Sequence, residues 1–126
     1  MLKEIFLIDN KNYKLFLNEE SEVVSIRDEY YIKLASLEYK AWIDKDSRTI
    51  FMHDLYVTKR LRRKGFATKL INCLINRYSI PNKETNFELS CLKDNYLALS
   101  LYRKIGFRIV GNFSSTSYLL KIIKWT

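Results

Sequence analysis

An α+β domain built on a mixed, mostly antiparallel sheet is expected from two patterns in the sequence. Short β-rich runs separated by polar turns fill the first 57 residues, and two apolar stretches of helical period then alternate with further β-rich runs. A third observation predicts one domain over residues 1–126. The chain is 48% hydrophobic and has only three glycines and one proline, so no linker or repeat divides it, and it is long enough to bury a core.

Runs 4–8, 13–17, 23–26, 30–37, 39–43 and 49–57 read as strands. Asp9-Asn10-Lys11-Asn12 and Asn18-Glu19-Glu20-Ser21 read as turns, with a brief helix over 19–25 as the alternative to the second. Phe66, Leu70, Ile71, Leu74, Ile75 and Tyr78 recur at helical spacing until Pro81 closes the segment. Residues 87–92 then read as a buried strand, 95–105 as a second helix stopped by Gly106, and 107–113 with 118–125 as a final hairpin. The strand, helix, strand order from 49 to 92 is a crossover unit, which makes its two strands parallel. The basic turn after residue 57 therefore lies at the carboxyl end of its strand, the edge where open α/β sheets bind ligands.

Composition narrows the function classes. Cys73 and Cys91 sit inside apolar periodic segments, which predicts buried reduced thiols and neither a disulfide scaffold nor a metal site. No run approaches the roughly 18 apolar residues of a membrane helix, and the first residues lack a secretory apolar core. A soluble, cytoplasmic protein without a membrane partner is the expectation. The net charge of +8 suits an anionic ligand, and a phosphorylated cofactor, nucleic acid or acidic protein would each satisfy it.

The turn itself is more specific. Arg62, Arg63, Lys64, Gly65, Phe66, Ala67 and Thr68 lead from a strand into a helix, and the first amides of a helix lack intrahelical partners and carry partial positive charge. Such a junction is a candidate pyrophosphate cradle. A second motif follows as Asn95-x-x-Ala98-x-x-Leu101-Tyr102-x-Lys104-x-Gly106-Phe107. In this order and at this distance the pair resembles the two signatures of the GCN5-related N-acetyltransferases, most clearly from about residue 49 onward.

That resemblance implies a fold with α/β/α layers, splayed central strands at the coenzyme A site, and acetyl-CoA as co-substrate. It implies that Leu55, Tyr56 and Val57 supply main-chain groups to pantetheine and that the amides of residues 63–68 bind pyrophosphate. By the same resemblance, Arg62 holds the turn, Asn95 contacts the cofactor as well as capping its helix, and the Tyr102 hydroxyl faces the sulfur as proton donor. Ala67 occupies a position where the family allows glycine or alanine.

Acetyl transfer needs a neutral primary amine, a donor for the developing oxyanion and a proton for the departing thiolate. His53 is the only histidine and stands where many family members place a carboxylate or histidine base. Strand alternation sends His53, Leu55 and Val57 to one face and Asp54 and Tyr56 to the other. A water chain in place of a single base is the alternative, as are a core role for Tyr102 and a half-buried strand role for His53.

The first half departs from the helical start usual in the family. Such a short, β-rich region should leave the acceptor side open, for a protein- or RNA-linked amine or for completion by a second subunit in a homodimer. Tyr13, Phe16, Tyr30, Tyr31, Tyr39 and Trp42 are dense there, and ordinary statistics place most of them in the core. Two other functional classes stay open at this point: a coenzyme A-binding regulatory module without useful turnover, and a basic nucleic-acid-binding protein.

Overall fold

Eight strands and two α-helices make up the protein, seen in a computed structural model that describes residues 1–124. The elements run β1 (Leu2–Ile8), β2 (Lys11–Asn18), β3 (Val23–Arg27), β4 (Lys33–Ile43), β5 (Arg48–Val57), α1 (Phe66–Tyr78), β6 (Thr85–Leu92), α2 (Tyr96–Ile105), β7 (Arg108–Asn112) and β8 (Ser117–Lys124). Hydrogen-bonded neighbours follow the order β1-β2-β3-β4-β5-β6-β8-β7, and β5 with β6 is the parallel pair, as the crossover requires. Trp125, expected at the end of the last strand, lies outside the described residues.

Two expected strands, 30–37 and 39–43, are one continuous strand, β4. Tyr30, Tyr31 and Ile32 fall before it in an exposed turn, because Asp28 accepts the N–H of Tyr30 and Ile32 through its carboxylate and bends the chain there. The alternative helix over 19–25 does not form: residues 19–22 turn and β3 begins at Val23.

The chain groups into two compact units, each drawing on both halves of the sequence. The first comprises Met1–Tyr39 and Asp54–Arg77. It begins as a meander in which β1, β2, β3 and β4 pair antiparallel. Asp9 and Asn10, both at positive φ, make the tight turn between β1 and β2, since short polar side chains tolerate the left-handed region. Phe6, Tyr13 and Phe66 meet with ring centroids 4.9 to 6.1 Å apart, which anchors the start of α1. Phe66, Leu70, Ile71, Leu74 and Ile75 are all buried, as the helical period requires.

The second unit comprises Lys40–His53 and Tyr78–Thr126. Its core gathers Ile50, Met52, Phe87, Leu89, Leu99, Tyr102, Phe107 and Leu120. Thr85 is fully buried yet satisfied: its hydroxyl donates to the Tyr78 carbonyl at 3.1 Å and accepts from Arg48 Nε at 3.1 Å. Arg48 Nη2 donates to that same carbonyl at 2.8 Å, so one guanidinium ties β5 to the last residue of α1 and the first of β6.

Cys91 is buried, but Cys73 is partly exposed, which corrects half of the thiol expectation. Both are free, and burial raises the pKa of each thiol. Of the six first-half aromatics named above, Tyr13 and Tyr39 are buried, whereas Tyr30, Tyr31 and Trp42 are exposed. Among the described residues no helix is long and apolar enough to cross a membrane.

Candidate active site

In the first unit the chain leaves β5 through a fastened turn. The Thr58 N–H and hydroxyl both donate to the Leu34 carbonyl, at 2.9 and 2.7 Å, and a 3₁₀ turn over Lys59–Leu61 follows with Leu61 buried as its anchor. Arg62 then extends and donates from Nε to the Val57 carbonyl at 3.0 Å, so its guanidinium pins the turn to the strand end.

Arg63 and Gly65 take positive φ values of 65° and 92°, and alternation of handedness on either side of Lys64 curls successive amides toward one another. The first α-helical bond closes from Lys69 N–H to the Gly65 carbonyl at 3.1 Å. Among the described residues, the N–H groups of Arg63, Lys64, Gly65, Phe66, Ala67 and Thr68 therefore have no protein acceptor. No acidic side chain occupies the first turn of α1 to neutralise its positive end. A Cβ added to Gly65 would meet nothing within 4 Å, so the cradle opens onto free space.

The basic side chains divide. Lys64 Nζ lies 2.6 Å from a carboxylate oxygen of Asp9, and this hydrogen bond together with the ammonium charge lowers the Asp9 pKa. Lys64 thus braces the turn against the β1–β2 turn. Lys59, Arg60 and Arg63 are exposed. Sequence reasoning missed Thr58, Leu61 and Asp9 in this scaffold. The one visible signal was Leu61, an apolar residue inside an otherwise basic run.

Asp54 corrects the strand reading. At φ 52° it inserts a left-handed residue into β5, as a β-bulge does. Ile50 and Met52 are buried before it, whereas Leu55 and Val57 are half-buried after it, with Asp54 and Tyr56 exposed. The inward phase shifts by one residue there, so His53 does not share a face with Leu55 and Val57. The parallel ladder of β5 on β6 ends at Met52↔Leu89, while β6 stays paired to β8 as far as Leu92↔Ser117.

In the second unit, His53 is exposed at the end of a row of rings. Its imidazole stacks on Phe51 at 6.4 Å between centroids, and Phe51 stacks on Phe113 at 5.8 Å. Asn95 caps α2: its side-chain oxygen accepts the Ala98 N–H at 3.2 Å and its carbonyl accepts the Leu99 N–H. Gly106 at φ 122° ends the helix, with Gly106 and Phe107 N–H groups both donating to the Tyr102 carbonyl.

The Tyr102 ring is buried against Phe107, with centroids 6.1 Å apart. Burial, and then the neighbouring Cys91 thiol, push the phenol up to about 12. Among the described residues its hydroxyl makes no protein hydrogen bond, and the single sealed, unpartnered side-chain oxygen is Ser79 Oγ, so the Tyr102 hydroxyl reaches the surface. It is a protonated donor with nothing of its own to donate to.

A model of the acetyltransferase (GNAT) family matches residues 10–107, and the chain belongs to that family. The match extends well before residue 49, where the motifs alone had placed the resemblance. Membership makes the protein an acyltransferase with acetyl-CoA as the co-substrate of its class. Among solved structures the fold is similar to NAA60 of Arabidopsis thaliana in complex with a bisubstrate analogue, at 20% identity and a TM-score of 0.67, covering 80% of this chain and 74% of that one. Naa50 of the same plant, in complex with the bisubstrate analogue CoA-Ac-MVNAL, gives 17% identity and a TM-score of 0.69 over 81% and 72%. Ard1 of Thermoplasma volcanium gives 19% and 0.66 over 86% and 74%. No curated protein matches the sequence.

Proposed function

We propose that the protein transfers the acetyl group of acetyl-CoA to a primary amine by direct attack in a ternary complex. The observation that carries this reading is the set of unpartnered amides from residues 63–68, opening onto free space at Gly65 within a family match. These donors fit a pyrophosphate, with Arg62 holding their geometry through Val57. The main chain of Leu55, Tyr56 and Val57 is assigned to pantetheine, and an N–H among them to the developing oxyanion, on resemblance to the family.

When bound, acetyl-CoA supplies an activated thioester carbonyl. The amine nitrogen bonds to that carbon, the carbon–sulfur bond breaks, and the proton lost by the amine balances the one gained by the thiol. Tyr102 holds its proton with a pKa of about 12, against about 8.5 for a free thiol, so full transfer to the departing sulfur is uphill by roughly 5 kcal/mol. Tyr102 therefore stabilises the leaving sulfur as a hydrogen-bond donor, and the lasting proton comes from the amine through His53 or water. Asn95 orders the start of α2 below it.

The acceptor sets how much base is needed. At pH 7.4 about 0.1% of a lysine side-chain amine is neutral, against about a quarter of a peptide α-amine. An exposed His53 imidazole that only relays protons suits the second more than the first. Peptide α-amines are the acceptors to try first, and the bisubstrate analogue CoA-Ac-MVNAL bound by Naa50 supports that order.

Calorimetry with acetyl-CoA, followed by thiol release across peptides, polyamines, amino sugars and aminoacylated RNA, tests the proposal. Binding with turnover that collapses in Tyr102→Phe is expected. Binding without turnover on any amine would leave a coenzyme A-binding module, and no binding would sink the reading altogether.

A further inference from the structure

The C-terminal hairpin holds a cleft of about 330 Å³ for which the acetyl-transfer chemistry has no use. Along one side, β8 is paired with β6 down to Thr85↔Lys124, but on its other side the ladder with β7 stops at Arg108↔Lys121. It stops because the chain turns away into α2. Gly106 sits at φ 122° and the Phe107 N–H is spent on the Tyr102 carbonyl at 2.9 Å, so neither continues the strand. Among the described residues, the main chain of Ile122, Ile123 and Lys124 consequently has no strand partner on the β7 side and presents an open edge there.

That edge is apolar and basic at once. Val110 and Ile123 are 54% and 48% exposed beside it, and Arg108, Lys121 and Lys124 surround them. Glu88 lies 3.7 Å from Lys121 and partly neutralises it. Among the described residues, Arg108 and Lys124 have no acidic partner. Three residues of edge span about 10 Å, enough for main-chain pairing with a short extended segment and too exposed to enclose a small molecule.

The geometry points to a strand-addition site on β8 that takes an extended acidic peptide segment from a partner protein. The segment's main chain pairs with Ile122, Ile123 and Lys124, its carboxylates meet Arg108 and Lys124, and its apolar residues cover Val110 and Ile123. Main-chain pairing supplies the affinity, and the two cations select charge.

The probe is a fluorescein-labelled hexapeptide of alternating valine and glutamate, blocked at its amine so that it cannot act as an acetyl acceptor. Anisotropy should show binding that weakens with salt, and amide shifts in ¹H–¹⁵N spectra should centre on residues 108 and 122–124. Arg108→Glu with Lys124→Glu should weaken binding at least tenfold. Both side chains are exposed, so circular dichroism and thiol release should match the wild type. The same peptide N-methylated at alternate residues should also lose at least tenfold, because it cannot complete the main-chain ladder. No binding, shifts centred elsewhere, undiminished binding of the N-methylated peptide, or the same shifts from inorganic phosphate at equal ionic strength would each overturn the proposal.

Discussion

At Tyr102, burial and hydrogen-bonding freedom pull in opposite directions, and the balance makes two outcomes measurable. Removing the hydroxyl in Tyr102→Phe leaves the ring packed against Phe107 but takes away the donor proposed for the leaving sulfur. Turnover should fall by about two to four orders of magnitude, with acetyl-CoA affinity within a few-fold of wild type by calorimetry. A fall of less than threefold would assign Tyr102 to the core alone. The phenol is also raised from 10.0 to about 12 in the fold, so the neutral form is the one the fold favours. That contribution is fully present below pH 10 and is lost as pH climbs toward 12, an effect of roughly 2 to 3 kcal/mol for a side chain only 8% exposed. Urea unfolding at pH 9 and pH 11.5 should show wild type losing more stability than Tyr102→Phe. Asp54 is the second informative residue. Its φ of 52° is tolerable for aspartate and strained for a β-branched side chain, so Asp54→Val should lower stability by about 1 to 2 kcal/mol more than Asp54→Gly does. Nothing in the sequence announced this left-handed residue, because aspartate inside a β-rich run reads as an ordinary outward residue.

At the scale of elements, the helix termini are where sequence and structure agree most closely, and for a local reason. Caps and periodic faces are decided by residues three or four apart, so α1's buried stripe and α2's Asn95 and Gly106 ends could be read directly. Separate roles for Asn95 can now be distinguished. Asn95→Ala should lower stability by about 1 kcal/mol in chemical unfolding, whereas Asn95→Ser keeps a capping oxygen and should stay near wild type. If acetyl-CoA affinity falls equally in both, the side chain contacts the cofactor as well. Gly65 governs the other terminus. Gly65→Val places a branched side chain at φ 92° and in the open space of the cradle, and acetyl-CoA affinity should fall at least tenfold by calorimetry. Long-range features were illegible for the opposite reason. The Lys64–Asp9 pair joins residues 55 apart, and Glu38, where the expected strands 30–37 and 39–43 divided, is carried inside β4 by pairing with Val23 of β3.

For the molecule as a whole, composition bounded the ligand without locating it, and the structure shows how an overall charge becomes a directed one. The chain carries 22 basic and 14 acidic residues, and Lys59, Arg60, Arg62, Arg63 and Lys64 crowd five of the cations into one turn. Among the described residues, Lys64 is the one of these five that meets a carboxylate, that of Asp9. The division of the chain into two units, each interleaving early and late segments, could not be read from a sequence without linkers. An anionic co-substrate approaching such a turn feels a field that operates over about 10 Å at 0.1 M salt and about 3 Å at 1 M. The amides of residues 63–68, as the proposed pyrophosphate donors, would act at hydrogen-bond distance and be insensitive to that screening. Raising NaCl from 50 to 500 mM should therefore raise the KM for acetyl-CoA several-fold while kcat stays within about twofold, and the dependence should be shallower for the analogue lacking the 3′-phosphate. Charge reversal at the exposed pair, Arg60→Glu with Arg63→Glu, should flatten the dependence further, because the cradle survives and the field does not. A KM indifferent to salt would mean that the short-range donors alone recognise the cofactor and that the excess charge of +8 serves some other partner.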